Sequence, residues 1–590
     1  MVFFERILPW VMRHSGTLRI GLIWITITVA AAICVALVVG RAAAPISQEA
    51  TQRPIGFALR RRQVGTPSTD ATFALLATFI ASYIALMVGW EAFAYYDDSV
   101  FNLITLKGHN IPLWVQPEDG RFQPLAFEEF NLVRHFTDTI TGYQVLPIVQ
   151  LLIISIIILI IDRELSIAAR CILLISVLLT PSILATFTSL LASERSFLFF
   201  LMFFALSIKR FEQSQSVASA VSTVIFTQLV IYSKETAFLL LLGFAVSRLM
   251  FRCATPHFDL GRLWVKESRL DLVLFSLATL FLIFYFGVVG IDGNMNYAVR
   301  ARLPRSHVVL GYITVDLLPW LIIGVLLARI YLILRHRVAP LLFWDGLAAG
   351  GVACFFAYIY LSIFRVHYPA PVDLIAVLYV GRFAVLSWKK VPSWAKPAVT
   401  ALVLIVLFQD ILVSTFVVFE RKNVIQGKTR IASVVQAQYR RDRLKSIRLF
   451  FPFAGGFTTM EFGAYLNSLG VPVEGATGEV SSPNGVVLTR ASRVSAKDGP
   501  CVEWTNITCH FVPGPTPGDL VIVLPDDNAS LAKVSAYRDK GVVLLYSEPR
   551  LPIPRWLHSL FDGLPIGSQG TYRYDPLPDR WMDASVTKWQ

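Results

Sequence analysis

Two adjacent aspartates, Asp97 and Asp98, follow directly after an apolar segment that is long enough to cross a membrane. Carboxylates at a membrane boundary carry a large desolvation cost unless they are solvated, paired with a cation or bound to a metal ion. One explanation of the doublet is a solvated helix end. The other is a functional pair that acts as a general base, or as metal ligands, above a cavity at the membrane surface.

Three more short segments place charged residues beside apolar sequence: a turn at residues 120–125, a hairpin at residues 193–196 and an interruption at residues 233–236. Charges in such positions must find partners. Taken singly, the last two segments predict local Arg–Glu and Lys–Glu bridges, with Glu235 as the partner of Lys234. Together with the doublet, the three segments indicate one site on one side of the membrane. Its further members are Arg121, Glu194, Arg195, Lys234 and Glu235.

Three arginines, Arg300, Arg302 and Arg305, lie close together in a connection between two apolar segments. A guanidinium group binds phosphate in a bidentate manner, so this trio is suited to a phosphate group. The alternative is that the three side chains extend to lipid headgroups. His307 and His367 lie in connections on the same side, where we expect a lone histidine to be solvated.

Membrane helices must position these groups. Of the 590 residues, 55% are apolar and 16% are charged, against about 25% charged residues in soluble domains. The apolar residues occur in long runs, which excludes a cytosolic enzyme, a disordered chain and a disulfide-rich secreted protein. Since a spanning helix needs about 20 apolar residues, the runs predict about twelve spans. They lie near residues 19–40, 72–94, 143–162, 171–190, 196–208, 217–232, 236–250, 271–290, 308–334, 342–363, 371–388 and 397–418.

The basic residues predict the orientation of the spans. Connections on one side hold about twice as many lysines and arginines as those on the other, and this surplus marks the cytoplasmic side. We therefore expect a multi-pass protein of the cytoplasmic (inner) membrane, with residues 1–420 in the membrane part and its loop 95–142 on the periplasmic side. The net charge of +13 fits cytoplasmic loops. The sequence has no basic stripe with interleaved aromatic residues, the pattern that would indicate binding to nucleic acid.

Residues 421–590 are more polar and predict a periplasmic soluble α/β domain. The segments 520–525 and 541–547 are typical of buried strands and enclose a helical pattern, as in a βαβ unit. The basic stretch 421–450 is expected to form an amphipathic helix that rests on lipid headgroups. We expect this domain to be accessory, covering the cavity or recruiting an acceptor.

The doublet, a GRxxPL element at residues 120–125 and an SKETA element at residues 233–237 together resemble polyprenyl-phosphate-dependent glycosyltransferases of the GT-C superfamily. The resemblance covers about residues 72–390, with one span more before the doublet than the superfamily has. It implies a multi-span α-helical enzyme whose first large external loop carries the catalytic acidic residue. It also implies a sugar donor on a polyprenyl phosphate, which enters from the bilayer, and Asp97 or Asp98 as the catalytic base.

In such a reaction a base takes the proton of the acceptor hydroxyl, and cations stabilise the departing phosphate. The acceptor would be an envelope glycan, a lipid or a protein, and the sugar carbon would be inverted. Lys234, Arg300, Arg302 and Arg305 are the expected ligands of the donor phosphate. The supporting residues are Arg121, Glu194, Arg195 and Glu235.

The sequence leaves the use of a metal open. Asp97, Asp98 and Glu194 are oxygen ligands of the kind that Mg²⁺ and Mn²⁺ prefer. The basic residues could equally neutralise the phosphate without a metal ion.

Two other functions also remain open. An oligosaccharide polymerase or ligase with a lipid-diphosphate donor would depend on the loop that contains Arg300. A transporter or lipid flippase would use charged groups within the membrane. Residues of that kind are Asp316, Asp373, Arg382 and Asp410, although the chain has no internal repeat.

Overall fold

The computed structural model describes the greater part of the chain, and the structural statements that follow concern only that part. The described residues are 28, 69–88, 110–111, 114–116, 121–137, 139–253, 268–286, 304–442, 446–451, 462–463, 465–477, 509–511, 515–523, 541–547 and 584–589. Asp97, Asp98, Arg300 and Arg302 lie outside them.

The described residues are mostly helical, as the long apolar runs predict. The helices are α1 (Thr69–Val88), α2 (Glu128–Val133), α3 (Ile140–Ile161), α4 (Ile167–Leu179), α5 (Pro181–Phe187), α6 (Ser193–Ser214), α7 (Val217–Ser233), α8 (Ala237–Cys253), α9 (Arg269–Phe284), α10 (Arg305–Val315), α11 (Leu318–Leu334), α12 (Leu342–Tyr360), α13 (Ala370–Ser387) and α14 (Lys396–Asp442). A two-stranded hairpin of β1 (Trp114–Gln116) and β2 (Arg121–Gln123) precedes α2.

Five of these helices are long and apolar enough to cross a membrane, or up to seven if each of two bent pairs counts as one span. The predicted span 171–190 consists of α4 and α5, which meet at 70°, and the predicted span 308–334 consists of α10 and α11, which meet at 94°. Pro181 and Pro319 stand in the first turn after each break. A proline has no N–H and cannot continue the hydrogen bonding of the preceding helix. The prediction of about twelve spans is not confirmed in the described part of the chain.

Helix α14 continues well past its apolar half. At 1.5 Å per residue, its 47 residues extend about 70 Å, more than twice the roughly 30 Å hydrocarbon thickness of a bilayer. The stretch predicted as an amphipathic helix at 421–450 is helical through residue 442, but it continues the helix that begins at Lys396. Through residue 442 this stretch is the distal part of α14, where Ile431 and Val435 are buried against a sheet.

That sheet has six described strands in the order β5-β4-β3-β6-β8-β7. The first four are parallel, and β8 pairs antiparallel with both β6 and β7. The predicted strands at 520–525 and 541–547 are β6 and β7, but β8 lies between them. The strands are β3 (Ile447–Phe451), β4 (Val473–Thr477), β5 (Cys509–Phe511), β6 (Leu520–Val523), β7 (Gly541–Ser547) and β8 (Ala584–Trp589).

Helices α8 and α12 approach closely at Gly350. A Cβ atom at this position would lie 2.4 Å from the carbonyl oxygen of Leu240, so only glycine fits without a backbone shift. Small residues at such crossings let membrane helices pack by direct van der Waals contact. This contact fixes the start of α8, which begins at Ala237, the last residue of the SKETA segment.

Substitution of Gly350 by alanine is expected to destabilise the protein by about 1–3 kcal/mol, because the methyl group overpacks a rigid crossing. The matched control is Gly324→Ala. A methyl group added at Gly324 would meet no atom within 4 Å, and alanine favours a helix over glycine by about 1 kcal/mol. Thermal unfolding of the purified protein in detergent compares the two variants, and equal midpoints would contradict the predicted clash.

The end of the bundle away from the hairpin is held by buried ion pairs between helices. Arg248 Nε lies 2.7 Å from Asp271 Oδ1, and Arg329 Nε lies 2.6 Å from Asp345 Oδ1. Arg382 pairs with Asp162, and both side chains are buried.

Candidate functional site

The hairpin of the first long loop is anchored to the SKETA segment by Glu235. The Arg121 Nη1 group donates to Glu235 Oε1 at 2.8 Å, and the Gln123 amide donates to Glu235 Oε2. Glu235 thus has a partner on each carboxylate oxygen. Because residues 121 and 123 lie on the same face of β2, one carboxylate can hold both side chains.

Apolar and backbone contacts strengthen this anchor. Phe122, on the opposite face of β2, is fully buried and packs edge-on against Phe284 of α9, with ring centroids 5.0 Å apart. The Leu125 N–H donates to the carbonyl oxygen of Tyr232 at 3.1 Å. This bond satisfies an acceptor at the end of α7 that has no partner within the helix. The GRxxPL element therefore attaches the loop to the helix bundle.

A second attachment joins the same loop to the start of α6. The Glu129 Oε1 atom accepts from Arg195 Nη2 at 3.1 Å and from Ser196 Oγ at 2.7 Å. Arg195 also donates to the carbonyl oxygens of Ser189 and Leu190 at 3.1 and 2.9 Å. This arginine is among the most buried side chains of the protein, so its charge is stabilised by these contacts and not by water.

Lys234 lies at the centre of the site. Its Nζ atom is 2.5 Å from Glu194 Oε1 and 3.0 Å from Ser193 Oγ, and it lies 4.4 Å from the ring centroid of Tyr368, a cation–π distance. The side chains of Lys234 and Glu194 are only 6% and 1% exposed. On the other side of the carboxylate, His367 Nε2 lies 4.0 Å from Glu194 Oε2.

Lys234 and Glu194 keep their charges because the attraction between them outweighs the effect of burial, which favours the neutral form of each. Burial favours neutral Lys234, but Glu194 and further negative neighbours raise the pKa of the lysine above its ordinary value. Burial also favours neutral Glu194, but Lys234 and His367 lower the pKa of this carboxyl below its ordinary value. Lys234 and Glu194 are therefore both ionised at neutral pH.

We call these residues the six-charge cluster: Arg121, Glu129, Glu194, Arg195, Lys234 and Glu235. The cluster contains three cations and three carboxylates, and each cation is paired with a carboxylate. It joins the first loop, the start of α6 and the junction between α7 and α8. A phosphate that binds here would have to compete with Glu194 for the ammonium group of Lys234.

The expected local bridges are wrong. Lys234 pairs with Glu194 and not with Glu235, and Arg195 pairs with Glu129. Successive residues at the end or start of a helix point in different directions, so neighbours in sequence do not face each other. The expectation of a purely solvated His367 is also wrong, because its side chain lies beside Glu194.

Arg305 is apart from these ion pairs. It is exposed at the start of α10, and its guanidinium lies 5.0 Å from the ring centroid of Tyr360, the last residue of α12. The predicted ligands Arg300 and Arg302 and the predicted bases Asp97 and Asp98 lie outside the described residues. The structure therefore brings together Arg121, Glu194, Arg195, Lys234 and Glu235 from the predicted set.

Glu194 does not fit the role of a metal ligand in this arrangement. One of its oxygens contacts the ammonium group of Lys234, and a divalent cation beside that group would be repelled. Among the described residues, no group of three His, Cys, Asp or Glu side chains is placed to hold a metal ion.

Sequence reasoning missed Gln123 and Tyr368, and it gave Glu129 no role. Glu129 stands in a conspicuous Glu–Glu pair whose second member faces Arg195. No local pattern indicates Gln123 or Tyr368, since each depends on a residue more than a hundred positions away.

No protein-family model matches the chain, and its sequence matches none of the curated proteins. A function is therefore inferred from the contacts of the six-charge cluster and from the short motifs. Both GRxxPL and SKETA, the two motifs quoted for the GT-C resemblance, contribute residues to that cluster.

Proposed function

We propose that this protein is a membrane glycosyltransferase that moves a sugar from a polyprenyl-phosphate donor to an envelope glycan, lipid or protein acceptor. The observation that supports the proposal is the Arg121–Glu235 ion pair. It joins the GRxxPL element to the SKETA element across 114 residues of sequence. The loop that begins with the aspartate doublet is thereby attached to the bundle beside Lys234.

In the proposed reaction Asp97 or Asp98 takes the proton of the acceptor hydroxyl as that oxygen attacks the sugar carbon. The bond from this carbon to the phosphate oxygen breaks, and the lipid phosphate leaves with the electron pair. Arg300, Arg302 and Arg305 supply positive charge for the phosphate. Lys234 adds positive charge for the phosphate if the phosphate displaces Glu194 from its ammonium group. If Glu194 stays in place, Lys234 acts by positioning the loop.

The proposal is tested with the full-length protein in lipid nanodiscs that contain a polyprenyl-phosphate-linked, radiolabelled sugar. Asp97→Asn and Asp98→Asn are each made, and the variant that removes the general base is expected to lose transfer by about 10²–10⁴-fold. Glu128→Gln is the matched control, because Glu128 lies in the same loop and contacts Asn131 locally. Transfer at the wild-type rate by both aspartate variants would overturn the assignment of the base.

A lipid flippase is the second candidate, favoured by the two bent helix pairs and by buried carboxylates at these bends. Transporters often place their sites at such breaks. A fluorescent lipid-phosphate whose headgroup is quenched from outside a vesicle reports flipping without sugar transfer. Flipping without any sugar transfer would favour this candidate over the enzyme.

A further inference from the structure

Three aspartates meet where the bent helices contact α13 and α14. Asp316 is the first of the two residues between α10 and α11, Asp373 is in the first turn of α13, and Asp410 is in α14. They are 2%, 0% and 2% exposed. The carboxyl groups of Asp316 and Asp373 interact with each other, and Asp410 interacts with both.

The donors near this trio are too few for three carboxylates. The Leu318 N–H donates to Asp316 Oδ1 at 3.0 Å, and the Ser182 hydroxyl of α5 donates to Asp373 Oδ2. One buried oxygen of each aspartate has no hydrogen-bond partner. The unpartnered atoms are Asp316 Oδ2, Asp373 Oδ1 and Asp410 Oδ1.

The groups around the trio supply no positive charge. Within the described residues, no lysine, arginine or histidine makes an ion pair with any of the three carboxyl groups. The titratable neighbour from α10 is Tyr312, which lies beside Asp316 and Asp373 and near Tyr368. The Tyr312 hydroxyl donates to the carbonyl oxygen of Ile363 at 3.2 Å and is therefore directed to another acceptor.

Asp345 shows the contrasting arrangement in the same protein. It is equally buried, but its oxygens accept from Arg329, from the Tyr379 hydroxyl and from the Leu341 N–H. An ionised carboxylate is fully satisfied there. An ionised carboxylate is an acceptor only, so two that face each other in the trio would each leave one buried oxygen without a donor and would repel.

We propose that Asp316, Asp373 and Asp410 form a proton-binding site within the membrane part, which joins the two bent spans to α13 and α14. One proton held between Asp316 and Asp373 supplies the missing donor and reduces the charge of that pair from two to one. A further proton on Asp410 removes its charge. The proposed ligand is a proton, because a protonated carboxyl group supplies the donor that a facing carboxylate oxygen lacks.

Asparagine at position 373 reproduces the shape and hydrogen-bonding capacity of the protonated acid. Thermal unfolding of full-length wild type and Asp373→Asn is measured in nanodiscs from about pH 6 to about pH 9, because buried carboxyl groups can hold a proton to about pH 8–9. Wild type is expected to lose several degrees in its midpoint as the pH rises and the folded state gives up its protons. The variant is expected to be at least as stable as wild type at the acidic end and to show a flatter profile, because its folding no longer takes up a proton at this position.

Asp410→Asn should show the same flattening, and Asp345→Asn serves as the control. Asp345→Asn removes a charge that Arg329 requires, so it should lower the midpoint at every pH without changing the slope. The proposal is overturned if the wild-type and Asp373→Asn profiles have the same slope. Failure of Asp373→Asn to fold at neutral pH would also overturn it, since that result would mean that Asp373 must be charged.

Discussion

Replacing Lys234 with methionine is expected to abolish sugar transfer and to lower the free energy of unfolding by about 3–5 kcal/mol. The physical reason is that Glu194, which is 1% exposed, would lose the cation that lies 2.5 Å away and would remain as a buried carboxyl group without a direct charged partner. His367, at 4.0 Å, is too distant to replace a direct hydrogen bond. Thermal unfolding and donor-dependent transfer, both in nanodiscs, measure the two effects.

A double variant, Lys234→Met with Glu194→Leu, separates stability from function. A buried ion pair can be replaced by packed apolar side chains at little cost in stability, so the double variant should regain most of the loss. It should still transfer no sugar. Arg382→Met at the opposite end of the bundle also breaks a buried pair, and its folded fraction should transfer normally. Transfer at the wild-type rate by Lys234→Met would contradict the role given to this residue.

The pair also predicts the direction of a pH effect. Because the pKa of Glu194 is lower in the folded protein than its ordinary value, its contribution to stability is present above that ordinary value and is lost as the pH falls through the folded-state pKa. The raised pKa of Lys234 places the loss of its contribution on the alkaline side. The difference in stability between wild type and Lys234→Met should therefore shrink in acid.

Replacing Glu235 with alanine is expected to release the first loop and to reduce transfer by about 10²-fold, the effect of a misplacement of about 1 Å in a reacting group. The substitution leaves Arg121 and Gln123 without their shared carboxylate. Limited trypsin digestion followed by mass spectrometry should then show rapid cleavage after Arg121, which is slow in wild type. The rate of this cleavage reports detachment of the loop independently of activity.

Glu128→Ala is the matched control for this release. Glu128 lies in the same loop, and its described hydrogen bond is with Asn131 three residues away, so its loss should not detach the hairpin. If Glu235→Ala is cleaved after Arg121 as slowly as wild type and transfers sugar at the wild-type rate, the Glu235 anchor is dispensable.

Much of the local structure could be predicted from the sequence. The apolar runs near residues 143–162, 342–363 and 371–388 are the helices α3, α12 and α13. Residues 520–523 and 541–547, within the two predicted segments, are strands. These predictions succeed because the length and pattern of an apolar run are properties of neighbouring residues. The bends within two predicted spans were missed, although Pro181 and Pro319 mark them.

The residues of the candidate site could be predicted from the sequence, but the pairs that their cations and carboxylates form could not. Arg121, Glu194, Arg195, Lys234 and Glu235 stand out because charges beside apolar sequence are rare. Which cation meets which carboxylate depends on the relative positions of helices that are far apart in sequence. The same limit applies to Gln123, Glu129 and Tyr368, whose partners no local pattern specifies.

The sequence by itself determined that the chain forms apolar helices, that a polar α/β segment follows them, and which short segments carry exceptional charges. Only the tertiary structure decided that Glu235 holds the first loop, that Lys234 pairs with Glu194, and that Asp316, Asp373 and Asp410 meet without a cation from the described residues. The physical reason is that helix formation depends on neighbouring residues, whereas the energy of a buried charge depends on the groups that distant helices bring within a few ångströms of it.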